Sequence, residues 1–421
     1  MINKVLLSIC LSFIYALIFA QSSSGYLIKP ERVFDGEEMH TGWWVWVDSG
    51  IIKSVGPSGS INFPKGVVVM DFPGKTLMPG MIEGHGHLFL HPYNETPWDD
   101  QVLKESRAER TARAVNHARE TLLAGFTTLR DLGTEGAMYD DVGLKQAIEK
   151  GVIPGPRLLI ATRAIVATGS YGPANTPDLM LPKGAAEADG LEGMAKEVRM
   201  QIGMGADFIK VYADYRWGLN HEARPTFTEA EIKMAVDIAG SSGRPVVAHA
   251  ATAEGMRRAI MAGVSTIEHG DGASPEIYRL MKEKGVALFP TLAAGDAILQ
   301  YRGWNPVRDK EPQRITEKKE SFRKALEAGV IIGMGGDVGV YAHGDNAREM
   351  ILMQEYGMSP INVLRSATAV NANILGVKDK VGRVKMGLLA DLIIVDGDPS
   401  KDLRQVKKVN MVMKGGVIYK K

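Results

Sequence analysis

Cysteine is nearly missing from this chain of 421 residues: the single one, Cys10, lies inside an apolar run at the N-terminus. If that run is removed, no thiol remains. Disulfide staples, thiolate nucleophiles and cysteine-ligated metals are then excluded, and stability has to come from a buried core. A chain of this length can bury one, as a large domain or as a few smaller ones. Charge of one sign is lacking too, with Lys+Arg at 50, Asp+Glu at 49 and a net charge of +1. No basic stripe with interleaved aromatics occurs, which argues against a nucleic-acid partner. Low-complexity segments are absent, and the 47 glycines are spread along the chain, mostly singly, as expected of many short strand–helix loops.

The apolar run itself, "MINKVLLSICLSFIYALIFA", occupies residues 1–20. One lysine near the start, about 16 uncharged residues and a closing alanine before "QSSSG" have the pattern of a secretory signal peptide. The competing reading is a membrane anchor, because the run nears the short end of a spanning helix. The small residue at its end and the polar stretch after it favour cleavage. Cys10 also lacks the small, polar context of a lipid-modified cysteine. The mature chain is therefore expected to be exported, periplasmic or secreted, with no stable membrane insertion. Any metal it holds must be bound by His, Asp, Glu or a lysine-derived oxygen.

From residue 79 to 375, short apolar runs alternate with helical periods. The expected strands are "GMIEGHGHL", "FTTLRDL", "RLLIAT", "DFIKVYA", "PVVAHA", "STIEHG", "VALFPT" and "IIGMGGD". Helix-like stretches, among them Ser106–Ala124, Thr228–Ser242, Thr252–Ala262 and Thr316–Ala328, lie between them. "TFTEAEIKMAV" opens with a Thr-x-x-Glu capping box, Thr228 and Glu231. Strands alternating with helices over this length predict an α/β fold, a (β/α)₈ TIM-type barrel. The ends do not fit it. Residues 21–78 plus 376–421 carry strand-like runs with glycine turns, such as "GWWVWVDSGIIKSVG" and "VNMVMKGGVIYK", and predict a small β-sandwich-like domain built from both chain ends. Trp43, Trp44 and Trp46 are read there as half-buried strand side chains rather than a stacking platform.

Of nine histidines, three (His85, His87 and His91) fall within "HGHLFLH". A polar loop would account for an isolated pair, but the barrel map does not leave the pair isolated. His85 and His87 sit at the end of strand 1, Lys210 at the end of strand 4, His249 of strand 5, His269 of strand 6 and Asp337 of strand 8. In a barrel those ends share one mouth, where function is built, and the i, i+2 spacing puts His85 and His87 on one side of their strand. Six metal-competent groups on strand ends mark His85 and His87 as ligands. Burial disfavours the ammonium form of Lys210. Once neutral it can add carbon dioxide to become a carbamate, an anionic oxygen ligand able to bridge two cations. The alternative is a salt bridge to Asp207 or Asp214.

HxH after strand 1, Lys after strand 4, His after strands 5 and 6 and Asp after strand 8 resembles the binuclear amidohydrolase superfamily. The likeness runs from about residue 26 onward through "RVFDG", "TLMPGMIEGHGH", "AGFTTLRDLG", "HGDNAREM" and "GLLADLIIVDGDP". It is nearest to the imidazolonepropionase-like branch, which includes metal-dependent Xaa-Pro dipeptidases. The resemblance implies that His85, His87 and Asp337 hold one metal, that His249 and His269 hold the other, and that carboxylated Lys210 bridges them, with zinc as the default pair of ions. It further implies a bridging hydroxide that attacks an amide carbon, with Asp337 taking its proton and passing it to the departing amine. Where such dipeptidases carry "TGGHG", this chain reads "TGSYG", placing Tyr171 at the histidine position. Tyr171, Tyr212, His91 and His343 are the candidates to meet substrate, with supporting roles an equal alternative for the two histidines. His117 is read as a solvated or helix-packing residue.

The expected function is hydrolysis of a C–N bond in a small amide or dipeptide, as an Xaa-Pro-like dipeptidase or N-acyl amino acid hydrolase. A cyclic-amide (imidazolone-type) or lactone hydrolase is the alternative on the same fold. A non-catalytic barrel scaffold is the alternative of another class, disfavoured because such proteins lose ligands and this chain keeps all six. A homo-oligomer stays open. N-terminal sequencing of the exported protein is expected to begin near Gln21, and a full-length chain confined to the cytoplasm would refute export.

Overall fold

A computed structural model of the chain describes residues 25–174 and 178–421. The expected signal peptide, residues 1–20, lies outside them. Among the described residues no helix is long and apolar enough to cross a membrane.

Parallel strands carry the site: β1 (Met81–Gly86), β2 (Phe126–Asp131), β3 (Arg157–Ile160), β4 (Ile209–Tyr212), β5 (Val246–Ala250), β6 (Thr266–His269) and β7 (Ala287–Phe289). All but β3, where burial alternates, are buried along nearly their whole length, as expected of parallel strands covered on both faces. β1, β2 and β3 form one sheet. Ile165–Val166, β4, β5, β6 and β7 run side by side in a second. The two meet where the chain of β3 breaks. Thr162 takes a left-handed φ of 64°, and the chain resumes as Ile165–Val166 beside β4. The Asp207 N–H donates to the Ile160 carbonyl at 2.8 Å across that break.

Between the strands run helices with capped starts. Ser106 caps Arg107–Leu123 and Thr252 caps Ala253–Ala262. The capping box of Thr228 and Glu231 opens Glu229–Gly240 as the sequence predicts. Gly263, with φ 99°, ends the helix Ala253–Ala262, a conformation that glycine adopts without Cβ strain.

The stretch "IIGMGGD", expected as an eighth strand, forms no regular strand. Its glycines lie too close to their neighbours for a side chain. A Cβ on Gly333 would meet Phe289 Cε1 at 2.3 Å, and one on Gly336 would meet the Tyr341 hydroxyl at 2.1 Å. The segment nevertheless runs between β7 and β1 by single hydrogen bonds. Leu288 N donates to Ile331 O at 2.8 Å and Gly333 N to Leu288 O at 2.9 Å. On the other side Gly84 N reaches Met334 O at 3.0 Å and His87 N reaches Val338 O at 2.8 Å. Asn371 adds a clamp, its Nδ2 donating to Ile82 O at 2.9 Å and to Met334 O at 2.7 Å.

Strands from both ends of the chain join in one mixed sheet of eight. Its centre is Val68–Pro79, parallel to Tyr26–Phe34 and antiparallel to Leu392–Val395. The sandwich-like domain expected from the sequence is thus a single sheet wrapped on itself. Ile52 N donates to Leu388 O at 2.9 Å and Ala390 N to Gly50 O at 2.8 Å, which brings the strand Ile51–Pro57 against the segment entering Leu392–Val395. Ile28, Val45, Leu77, Leu392 and Met411 share one enclosed core. Trp43, Trp44 and Trp46 are half-buried strand residues, and Lys29 Nζ lies 4.4 Å over the Trp44 ring. Pro79 passes through Gly80 directly into β1, so this sheet anchors the strand that carries the first histidines.

Candidate active site

A cavity of about 390 Å³ opens at the ends of the parallel strands, with His85, His87, His249, His269 and Asp337 in its wall. His85, His269 and Asp337 each offer a ligand atom within 4.8 Å of the others. Asp337 Oδ1 lies 3.6 Å from His85 Nε2 and 3.4 Å from His87 Nε2. The His249 ring is centred 4.5 Å from that of His269. The structure therefore gathers the histidines and the aspartate into one cluster.

In His85, His87 and His269 the ring nitrogen that faces the cluster is free because the other is occupied. His85 Nδ1 donates to Glu268 Oε2 at 2.7 Å, and His87 Nδ1 donates to the Gly133 carbonyl at 2.8 Å. His269 Nδ1 is hydrogen-bonded to Thr291 Oγ1 at 2.8 Å. Burial, reinforced by neighbouring cationic groups, holds His85 and His269 well below the usual imidazole range and His249 down to about 3. His87 is lowered as well, by burial against the pull of Asp337. Neutral imidazoles with one bare nitrogen each, beside a carboxylate, fit a divalent metal such as zinc.

Lys210 lies inward on β4, its Nζ 5.6 Å from the Tyr212 ring centre. Neither expected salt bridge forms. Asp207 is held by Lys145 at 2.7 Å, and Asp214 accepts from the Thr252 N–H and hydroxyl at 2.7 Å each and from Ala251 N. Burial pulls the Lys210 ammonium down to about 8, with Arg130 pushing the same way.

The acids that brace this cluster were not singled out in the sequence. Glu268 reaches His85 with one oxygen, and its other takes Arg130 Nη2 at 2.8 Å and the Thr266 hydroxyl at 2.5 Å. Glu83 accepts from His85 N at 3.1 Å, Gly336 N at 2.9 Å and Asn346 Nδ2 at 3.0 Å. Glu349 accepts from Ala293 N at 2.7 Å, and so caps the helix Leu292–Tyr301 from outside. Thr291 would ordinarily do that. It stands in the left-handed region without a cap bond of its own, which leaves its hydroxyl for His269. Burial pushes Glu83 up to about 7 and Glu349 up to about 8. A signal for Glu83 was present, since alternation puts it on the same face of β1 as His85. Glu268 and Glu349 had no such local cue.

Tyr171 and Tyr212 line the cavity, with Tyr212 stacked on His249 at 4.5 Å. His91 and His343 do not reach its wall. His91 Nε2 is 2.8 Å from Glu105 Oε1. His343 stacks on His117 at 4.3 Å and bonds the Leu90 carbonyl at 3.2 Å. Their place is beneath the loop after β1, which corrects their reading as substrate contacts. His117 is a packing residue there, bonded to Leu88 O at 2.8 Å and lowered by burial to about 4.

The sequence profile of the amidohydrolase family matches residues 76–419. The ochratoxinase of Aspergillus niger is 29% identical over 373 residues, covering 82% of this chain and 75% of that relative. The imidazolonepropionase of Geobacillus thermodenitrificans is 24% identical over 440 residues, 95% of this chain and 94% of its own. A crystal structure of a Xaa-Pro dipeptidase with methionine bound in its active site is similar at a TM-score of 0.83. It shares 30% identity, covering 94% of this chain and 100% of the other. These likenesses agree with the branch read from the motifs.

Because Glu268 orients His85, Glu268→Gln is expected to lower affinity for zinc by about 10- to 100-fold. Competition against a chromophoric chelator measures it, and unchanged affinity would show that His85 needs no carboxylate partner.

Proposed function

The chain belongs to the amidohydrolase family, and from that premise we propose that it cleaves a C–N bond in a small amide or dipeptide with the help of two divalent ions, by preference zinc. The observation that carries this reading is the cluster of His85, His269 and Asp337 within 4.8 Å, beside a buried lysine with no ion pair among the described residues. In this proposal His85, His87, His249, His269 and Asp337 would hold the ions. Lys210, whose ammonium form is disfavoured by burial, would add carbon dioxide at Nζ with loss of a proton and supply an anionic carbamate beside them. Bound there, the ions supply Lewis acidity toward the scissile carbonyl and lower the pKa of water.

The chain's own residues supply the rest. Burial raises the Asp337 carboxyl above its ordinary range in the metal-free cluster, against the opposing pull of His87 and Lys210, and its place beside His85 and His87 puts it within reach of a nucleophile held there, as a general base must be. Asp337 takes a proton as the nucleophile attacks and returns it to the leaving amine nitrogen. The cavity suits a small molecule rather than a polymer. Arg216, Arg314 and Lys318 in its wall favour an anionic group on the substrate. The dipeptidase and ochratoxinase likenesses support an amide substrate, and a screen of the zinc-loaded protein against dipeptides and N-acyl amino acids tests it.

Metal analysis is expected to give about two ions per chain, since adjacent cations need an anionic bridge to offset their repulsion. Lys210→Ala should lose metal and regain part of it with short carboxylic acids. One ion beside an unmodified lysine would overturn the binuclear reading.

Asp337→Asn is expected to retain most of its metal while turnover falls by about 10²- to 10⁴-fold, the usual worth of general acid–base help. The apparent substrate affinity should change far less. Steady-state kinetics of the metal-replete variant decide, and near wild-type turnover would remove Asp337 from proton transfer.

A further inference from the structure

One buried acid in the cavity wall is used neither by the metal cluster nor by its bracing. Glu135, on the loop after β2, lines the cavity and is almost fully buried. Its Oε2 is taken by the Tyr171 hydroxyl at 2.5 Å and by Trp98 Nε1 at 3.0 Å. Its Oε1 has no hydrogen-bond partner among the described residues and lies 4.0 Å from His87 Nδ1, a nitrogen already committed to Gly133 O. Because this oxygen is not sealed from the cavity that Glu135 lines, a donor on a bound ligand can reach it.

The backbone is strained to put it there. Glu135 has a φ of 49°, a region that a residue with a side chain leaves unless its surroundings over-determine it. The surroundings here are Arg110, nearly inaccessible to water, whose Nη1 donates to Glu135 O at 2.7 Å and whose Nη2 donates to Thr134 O at 3.0 Å.

Resting on the amide-hydrolase reading, we propose that Glu135 Oε1 receives the α-ammonium of the substrate's N-terminal residue, so that the substrates are dipeptides with a free amine rather than N-acyl amino acids. In a dipeptide the α-nitrogen stands one carbon from the scissile carbonyl, so its acceptor must lie beside the metal cluster. The other acids of the wall do not qualify. Asp337 belongs to the cluster. Asp214 is saturated by Ala251 and Thr252, Asp271 is paired with Lys318, and Glu317 is exposed and bonded to Gln313. The replacement of the usual histidine by Tyr171 falls into place, because the tyrosine hydroxyl fixes the opposite oxygen and aims Oε1 at the cavity.

The test compares matched sets of dipeptides and their N-acetyl forms on the zinc-loaded full chain and on Glu135→Gln. The amide oxygen of the variant can still accept from Tyr171 and Trp98, while its NH₂ repels an ammonium. The wild type is expected to cleave only the free dipeptides well. The variant should keep its unfolding temperature yet lose about ten- to hundredfold in kcat/KM toward them, the range of a hydrogen bond to a charged group, mostly through KM. Cleavage of N-acetyl forms as well as or better than free ones, or an unchanged preference in the variant, overturns the assignment to Glu135 and leaves the amide-hydrolase reading standing. Cleavage of neither set overturns both.

Discussion

Removing a carboxylate from water is costly unless donors replace the water, and Glu268 lies among the parallel strands with no exposed surface. Its donors come from three strands: His85 beyond the middle of β1, Arg130 on β2 and Thr266 on β6 itself. Arg130 in turn donates from Nε to the Gly84 carbonyl at 2.6 Å. One ion pair therefore ties β1, β2 and β6 together and settles which face of the His85 ring meets the cavity. Removing one partner of such a pair would leave the other charge buried and uncompensated, which is the destabilising direction. The orientation of His85, and with it the spacing to Asp337 and His269, follows from this contact.

The same economy of space shapes the rest of the cluster. Asp337, His269 and Thr291 have left-handed φ angles of 64°, 74° and 50°, and each sits where a strand or strand-like segment ends. Such conformations persist only when packing and hydrogen bonds hold them. Asp337 is held by its own N–H on His85 O at 2.8 Å and by the close packing of Gly335 against the His85 backbone, where a Cβ would stand 2.8 Å from His85 N. The glycines that disrupt an eighth strand are thus what let Asp337 approach the histidines. The helix Ala347–Glu355 and the residue before it serve from behind. Asn346 steadies Glu83, and Glu349 frees Thr291 to orient His269.

Electrostatically the cavity divides into two parts. Imidazoles kept neutral by burial and a lysine drawn down to about 8 form its floor. Above it, Arg216 and Arg314 stand in the same wall as Glu135. That wall therefore carries charge of both signs.

Much of the ligand set was legible because it depends on local pattern. Alternation places His85 and His87 on one face, and counting strands against helices puts Lys210 and His249 on successive strands, although Lys210 stands second in β4 rather than at its end and Asp337 closes a segment that forms no strand. The capping box at Thr228 is equally local. The bracing was not legible, because Glu268 lies 183 residues from His85 and 138 from Arg130, and no periodicity links residues so far apart. Nor could residue type separate His91 and His343 from the true cluster. His85, His87, His91 and His343 are all buried and His249 and His269 half-buried, and only the packing decided that two of them bond carbonyls and acids under a loop while the others line the cavity. The sequence by itself determined which side chains were available at the strand ends. The tertiary structure decided which nitrogens were left free, because that depends on partners that only folding brings into contact.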